Sequence, residues 1–215
     1  PVDMRLPAVT TLPGGYVVQA MKTPFRLQVS EYDCVPTTFL NGLSYLFERD
    51  QIPPIVVQRV FLYCLDSISP RREHGHGTTG YACALLANWL SEFRHPKFSL
   101  EAQYLEGGAV NLSGGNKIAQ CLNAGGAALV SVTHYGGCRH YVMAIRSENR
   151  WLYFFDPYPK TAKASKADRY EFLPGPVGRE ANLRVHYDWA DANSNKSPFR
   201  FGLRAERECV LLRPR

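Results

Sequence analysis

The sequence predicts an α+β fold, with helices first and an antiparallel sheet after them. Apolar residues recur at helical spacing through the first half, three short runs rich in β-branched and aromatic residues follow Gly125 and Gly126, and the texture changes near Pro96. The opening, Pro1 to Lys22, is rich in proline and glycine and reads as an arm with one short strand at Tyr16 to Gln19. From Pro36 to Glu48 the residues Phe39, Leu40, Leu43, Leu46 and Phe47 share a helical face, and Pro36 suits a first turn, where an N–H would go unused. Ile55 to Leu65 follows Pro53 and Pro54 with a helical period and stops before Ser69 and Pro70. Arg71 to Gly80 is a glycine-punctuated loop, and Tyr81 to Phe93 is a third helix with Thr78 or Thr79 as its N-cap.

Past Pro96, Phe98 to Leu105 alternates like a strand, and Ser113 to Asn123 reads as one more helix closed by Gly125 and Gly126. Ala127 to Val132, Tyr141 to Ile145 and Trp151 to Phe155 are too short for helices and are expected to form the sheet. A polar stretch of about thirty residues without a clear period follows Pro157. Asn182 to Tyr187 and Glu208 to Leu212 complete the expected strands.

At 215 residues, 45% hydrophobic and 12% aromatic, the chain can bury one substantial core, which excludes a disordered tail or a fibrous repeat. No run approaches the roughly 18 apolar residues of a membrane helix. The net charge is +6, but Lys and Arg (25) are scattered and only modestly outnumber Asp and Glu (19), so neither nucleic acid nor a membrane is an expected partner. Six cysteines without a CxxC pair are expected to be mostly reduced, and most sit in apolar patterns where a thiol serves as a small hydrophobe. The start shows no signal-peptide pattern, which sets the expectation at a cytoplasmic protein.

Cys34 stands apart from the other cysteines because it falls immediately before the first expected helix, in Gln28-Val-Ser-Glu-Tyr-Asp-Cys34-Val-Pro. Unpaired N–H groups and the helix dipole favour a thiolate at such a place, and the same N–H groups can receive an oxyanion. Gln28 is a side-chain amide placed to supply a second donor. A nucleophile needs a base, and His140 is the best of six histidines because it opens an apolar strand just after Gly136 and Gly137. Asp156 ends the next strand before Pro157 and is the carboxylate expected to orient the ring. If those strands form a hairpin turning at Ser147, Glu148 and Asn149, then His140 and Asp156 are directly opposed, with Cβ atoms about 5 Å apart on one face. A slip of one residue would separate them.

Other histidines compete less well. His134 is an alternative base, but the Gly-Gly after it assigns it to the loop leading into His140. His74 and His76 with Glu73 form an HxH group that lacks further ligands at metal-site spacing. His186 and Asp188 lie too close along one segment to face each other, and His95 before Pro96 suits a helix end. No GxSxG, P-loop or GxGxxG element is present.

The set Gln28-x5-Cys34, His140-Tyr141-Val142 and Asp156-Pro157, with Gly77-Thr-Thr-Gly80 and Gly125-Gly-Ala-Ala-Leu-Val130 between them, resembles the papain-like cysteine peptidases. Within these it is similar to the family that trims double-glycine leader peptides from bacteriocins. The resemblance covers about Gln28 to Pro157 and implies one papain-like domain over residues 1–215. In that domain a helical lobe carrying Cys34 packs on an antiparallel sheet lobe; residues 1–22 are read as an arm, and residues 160–215, which match nothing in the family, as an extension of the sheet, a lid or a partner surface. It implies Cys34 as nucleophile, His140 as general base and acid, Asp156 as its orienter and Gln28 as oxyanion donor, with no metal or organic cofactor and a peptide or protein as substrate. The family usually has glycine after its Asp-Cys, whereas Val35 stands here and adds a β-branched side chain beside the expected site.

The expected reaction is peptide hydrolysis through a thioester. The same thioester passed to an amine gives an acyltransferase, and attack on a side-chain amide gives a deamidase. A catalytically silent cleft, blocked at Val35 and binding a peptide or protein, is the alternative outside enzymology.

Overall fold

The computed structural model describes residues 9–11, 17–19, 23–135, 137–158, 168–174 and 178–215, the first two segments by backbone alone. Those two are the short strands β1 (Val9–Thr11) and β2 (Val17–Gln19), paired antiparallel. Tyr16, the first residue of the strand expected there, lies outside the described residues.

Three helices follow, α1 (Cys34–Leu46), α2 (Pro54–Tyr63) and α3 (Gly80–Glu92). Pro36 sits in the first turn of α1, where the missing N–H leaves no carbonyl unpaired. Thr79 is the N-cap of α3, accepting from the Ala82 N–H. After them come β3 (Leu100–Glu106), α4 (Lys117–Asn123), β4 (Ala127–Thr133), β5 (Arg139–Glu148) and β6 (Trp151–Phe155). The chain closes with β7 (Tyr170–Phe172), β8 (Leu183–His186), the single turn α5 (Tyr187–Ala190) and β9 (Glu208–Pro214).

Strands β3 to β9 form one open, wholly antiparallel sheet in the order β3-β9-β4-β5-β6-β8-β7. The last strand therefore enters the sheet's interior, between β3 and β4, while β8 and β7 extend it past β6. Helices cover both faces. Phe39 and Leu43 of α1, Val56 and Val60 of α2, and Cys83, Leu86 and Leu90 of α3 bury one face with Leu129, Tyr141, Val210 and Leu212. Ile118 and Leu122 of α4, with Phe199 and Phe201, bury the other against Val130, Val142, Leu152 and Phe154. Period-two alternation along β4 and β5 divides their side chains between these two cores. No helix among the described residues is long and apolar enough to cross a membrane.

Several elements differ from expectation. The fourth helix begins at Lys117 rather than Ser113, because Asn116 caps it by accepting from the Ala119 N–H. β7 lies in the polar stretch, where three residues are too few to show a period. The strand expected to run to Tyr187 stops at His186, which caps α5. The β5–β6 hairpin turns at Asn149 and Arg150, with Glu148 opposite Trp151, and not at Ser147 to Asn149. Both turn residues have positive φ (50° and 65°), the signature of a two-residue type I′ turn that matches the twist of paired strands.

Candidate active site

Cys34 is the first residue of α1, and the loop before it is tied to it by Asp33. The Asp33 carboxylate accepts from the Val29 N–H (2.9 Å), from the Ser30 N–H (2.6 Å) and hydroxyl (2.7 Å), and from the Thr37 hydroxyl (3.2 Å). Partial burial acts to raise its pKa, but the hydrogen bonds from Val29 and Ser30 outweigh it and hold the carboxyl below its usual range. Asn41 exchanges two hydrogen bonds with the Arg26 backbone, fixing the same loop further along the helix. On the sheet side, the Thr38 hydroxyl donates to the Tyr141 carbonyl (3.1 Å), which anchors α1 one residue from His140.

His140 lies at the mouth of β5, paired with Val132 of β4. Its Nε2 meets Asp156 Oδ1 at 2.7 Å, and the Cys34 side chain acts on the same ring, for which Nδ1 is the nitrogen left. Burial alone would lower the imidazole pKa. The hydrogen bonds and charges of Asp156 and Cys34 overcome that and push it up to about 9. The structure thus brings Cys34, His140 and Asp156 into one row, hydrogen-bonded between His140 and Asp156. Among the other thiols, burial pushes Cys64 up to about 12 and drives Cys83, Cys121 and Cys209 upward too, while Cys138 is exposed. All six cysteines are free.

The row is assembled by a different register from the directly opposed pair expected. Near the turn β5 and β6 pair as Ser147↔Leu152 and Arg146↔Tyr153; beyond a bulge they pair as Ala144↔Phe154 and Met143↔Phe155. One step further sets Asp156 opposite Val142, so His140 is its diagonal neighbour on the same face. Without the extra residue in β5, Asp156 would oppose Met143 and point to the other side of the sheet.

Asp156 is 1% exposed and held from several directions. Oδ1 also accepts from the Tyr158 N–H (2.8 Å). The buried Asn182 amide clamps its backbone, accepting from the Asp156 N–H (2.7 Å) and donating to its carbonyl (2.8 Å). Oδ2 is buried and accepts no hydrogen bond among the described residues. The sequence reading missed Asn182. Its one signal was its place at the head of an expected strand.

Gln28 reaches this corner from the other side. Its backbone N–H donates to the Pro157 carbonyl (2.9 Å), joining the Asp33 loop to the end of β6. Its side-chain amide donates to the Ser30 carbonyl (2.6 Å), which accounts for one of two N–H donors.

The rejected histidines are distributed as structural groups, with one addition. His76 pairs with Glu73 (3.1 Å) and packs on Tyr32. His186 accepts from the Asp188 N–H as a cap. His134 does lie in the loop between β4 and β5, yet it is buried with its ring centroid 4.8 Å from that of His140. A cleft of about 840 Å³ opens beside Cys34, lined among others by Val35, His76, Gly80, Arg139 and Glu208. A thiol at the wall of a cleft therefore has behind it a buried imidazole able to take and return a proton, and a buried carboxylate bonded to that imidazole. No protein-family model matches the chain, and no curated protein does.

Proposed function

We infer that the chain is a papain-like cysteine peptidase, in keeping with its resemblance to the double-glycine leader peptidases. The observation carrying this reading is the buried His140 imidazole, hydrogen-bonded to Asp156 at 2.7 Å and acted on by the Cys34 side chain at the start of α1. A peptide lying in the cleft presents its carbonyl to the Cys34 sulfur. His140 holds the proton taken from the Cys34 thiol, so the sulfur attacks as a thiolate, and as the C–S bond forms the carbonyl electrons move to oxygen. The Cys34 backbone N–H and the second N–H of Gln28 receive that oxyanion. His140 then returns the proton to the leaving amine, and water hydrolyses the thioester with His140 again as base. Asp156 keeps the ring in the tautomer that this sequence of steps requires. The steps draw on groups of the protein alone: water or an amine as acceptor decides between peptidase and transferase, and a side-chain amide as the group attacked makes a deamidase.

Competitive alkylation tests the reading. At mildly acidic pH, iodoacetamide should modify Cys34 before the more exposed Cys138, and Cys34→Ala should abolish turnover of a peptide library monitored by mass spectrometry. Fragments report backbone hydrolysis, whereas a shift of about one mass unit without fragments reports deamidation. Modification of Cys138 first, or turnover retained by Cys34→Ala, overturns the assignment.

A further inference from the structure

The Asp156 carboxylate is only half engaged by the row described above. Oδ1 receives His140 and the Tyr158 N–H, while Oδ2 is buried and takes no hydrogen bond among the described residues. Beside it lies a second buried imidazole, His134, in the loop between β4 and β5. One nitrogen of His134, one of His140 and one Asp156 oxygen all fall within 4.8 Å of one another. Two imidazoles and a carboxylate are the protein ligands of a zinc site that keeps a fourth position open. With metal–ligand bonds of about 2.0–2.1 Å, tetrahedral ligands stand roughly 3.3 Å apart. The widest gap must therefore close by roughly 1.5 Å, within reach of a rotation of the His134 ring.

We propose that His134, His140 and Asp156 form a zinc(II) site that switches the cysteine centre off. The binding claim stands on these three side chains; only its consequence rests on the peptidase reading. In the resting row His140 is an imidazolium, with one proton on Nε2 toward Asp156 and one on Nδ1; zinc replaces the Nε2 proton, which leaves to solvent, and binds that nitrogen together with the Asp156 carboxylate. No electron is transferred. The one proton left sits on Nδ1, facing Cys34; a metal-held ring releases it less readily than an imidazolium does and has no lone pair to accept one from water, so it can neither protonate the leaving amine nor act as base on the thioester. Inhibition in this arrangement needs no zinc–sulfur bond, which distinguishes it from capture of a metal by the nucleophile.

The experiment is a cobalt(II) titration, with zinc as competitor, of the full chain carrying Cys34→Ala. One cobalt per chain with the visible absorption of a tetrahedral site is expected, displaced by zinc, and weakened at least tenfold by the further change His134→Gln. In the chain with Cys34 present, no thiolate-to-cobalt charge-transfer band should appear. Absence of binding to the Cys34→Ala chain, or that band in its presence, or undiminished affinity in His134→Gln, overturns the site. Imidazole-nitrogen NMR of the unsubstituted chain supplies a readout independent of folding in the variants: zinc should shift the ring nitrogens of both His134 and His140, and a shift of only one overturns the proposal. Retained turnover by Cys34→Ala would refute the peptidase reading while leaving each of these binding results interpretable.

Discussion

His140 and Asp156 meet at 2.7 Å as diagonal neighbours across two strands, placed on one face of the sheet by a single bulge residue in β5. That contact makes the imidazolium unusually persistent, and its consequence is a defined alkaline limit. His140 is raised from 6.5 to about 9, so its proton is present in the folded chain across neutral pH and is lost only as pH climbs through about 9. The rate constant kcat/KM should fall over that interval as the general acid disappears. Asp156→Asn removes the charge and should move the limb down toward 6.5. A pH–rate profile checks this, and a limb that stays put in the variant would take Asp156 out of the account. Stability follows the same sign. Because the folded pKa lies above the unfolded one, the stabilisation is fully present below 6.5 and fades as pH rises to about 9, so denaturation midpoints should drop across that window and flatten in His140→Phe.

Asn182 is the residue on which the Asp156 position depends. Its amide meets both backbone groups of a buried residue, so Asn182→Ala leaves a buried N–H and a buried C=O without partners. A loss of roughly 2–6 kcal/mol in stability is expected, at about 1–3 for each group left unsatisfied. If the clamp serves the catalytic row, kcat should fall by about tenfold with KM little changed, since the cleft lining is untouched. The discriminating readout is the His140 titration by NMR, which should move down in Asn182→Ala. An unmoved titration with lowered stability would leave Asn182 a purely structural residue.

Asp33 governs the other half of the site, holding the Gln28 loop against the start of α1 through bonds from Val29, Ser30 and Thr37. Asp33→Ala frees two backbone N–H groups and should lower turnover while leaving His140 titration unchanged, because no Asp33 contact touches the ring. The pH dependence has the opposite sign from that of His140. The folded pKa of Asp33 lies below 3.8, so its contribution is present above that value and is lost as pH falls further. Hydrogen exchange at Val29 and Ser30 reads the loop directly and should quicken in the variant. Unchanged exchange would show that the loop is held elsewhere, for instance by Gln28 and Pro157.

Much of this arrangement was legible because it is written in local patterns. Phe39 and Leu43, or Cys83, Leu86 and Leu90, announce helix faces by spacing, and the residue types of β4, β5 and β6 exclude helices of that length. Cys34 was legible for the same reason, since a helix start is a local event. The register of the β5–β6 hairpin was not. Its bulge lies in Ala144 to Arg146, a stretch with no glycine to mark it, and its turn uses Arg150 at positive φ, a conformation that arginine seldom advertises. Parity survived because two departures cancelled: the turn moved by one and a half residues, and the bulge restored the face. Non-local placement was the least visible. Nothing in Glu208 to Leu212 says that the chain's last strand fills the interior of the sheet, and the Asn182 clamp depends on β8 returning beside β6.

Val35 stands where the leader peptidases usually have glycine, and its setting decides between an open and a blocked cleft. It borders the cleft, yet the side chain is 2% exposed and belongs to the core shared by α1, α2 and α3. A side chain so placed fills the floor and projects little into the space where substrate lies. Val35→Gly removes three buried carbons, worth about 2.4 kcal/mol at about 0.8 each, and adds nearly 1 kcal/mol for glycine in a helix. A loss of about 3 kcal/mol in urea unfolding is expected, with turnover equal to or below that of the original chain. Should Val35→Gly instead raise kcat/KM tenfold or more, the valine would be an obstruction, and the chain with Val35 would be better described as a binder of peptides than as an enzyme that cuts them.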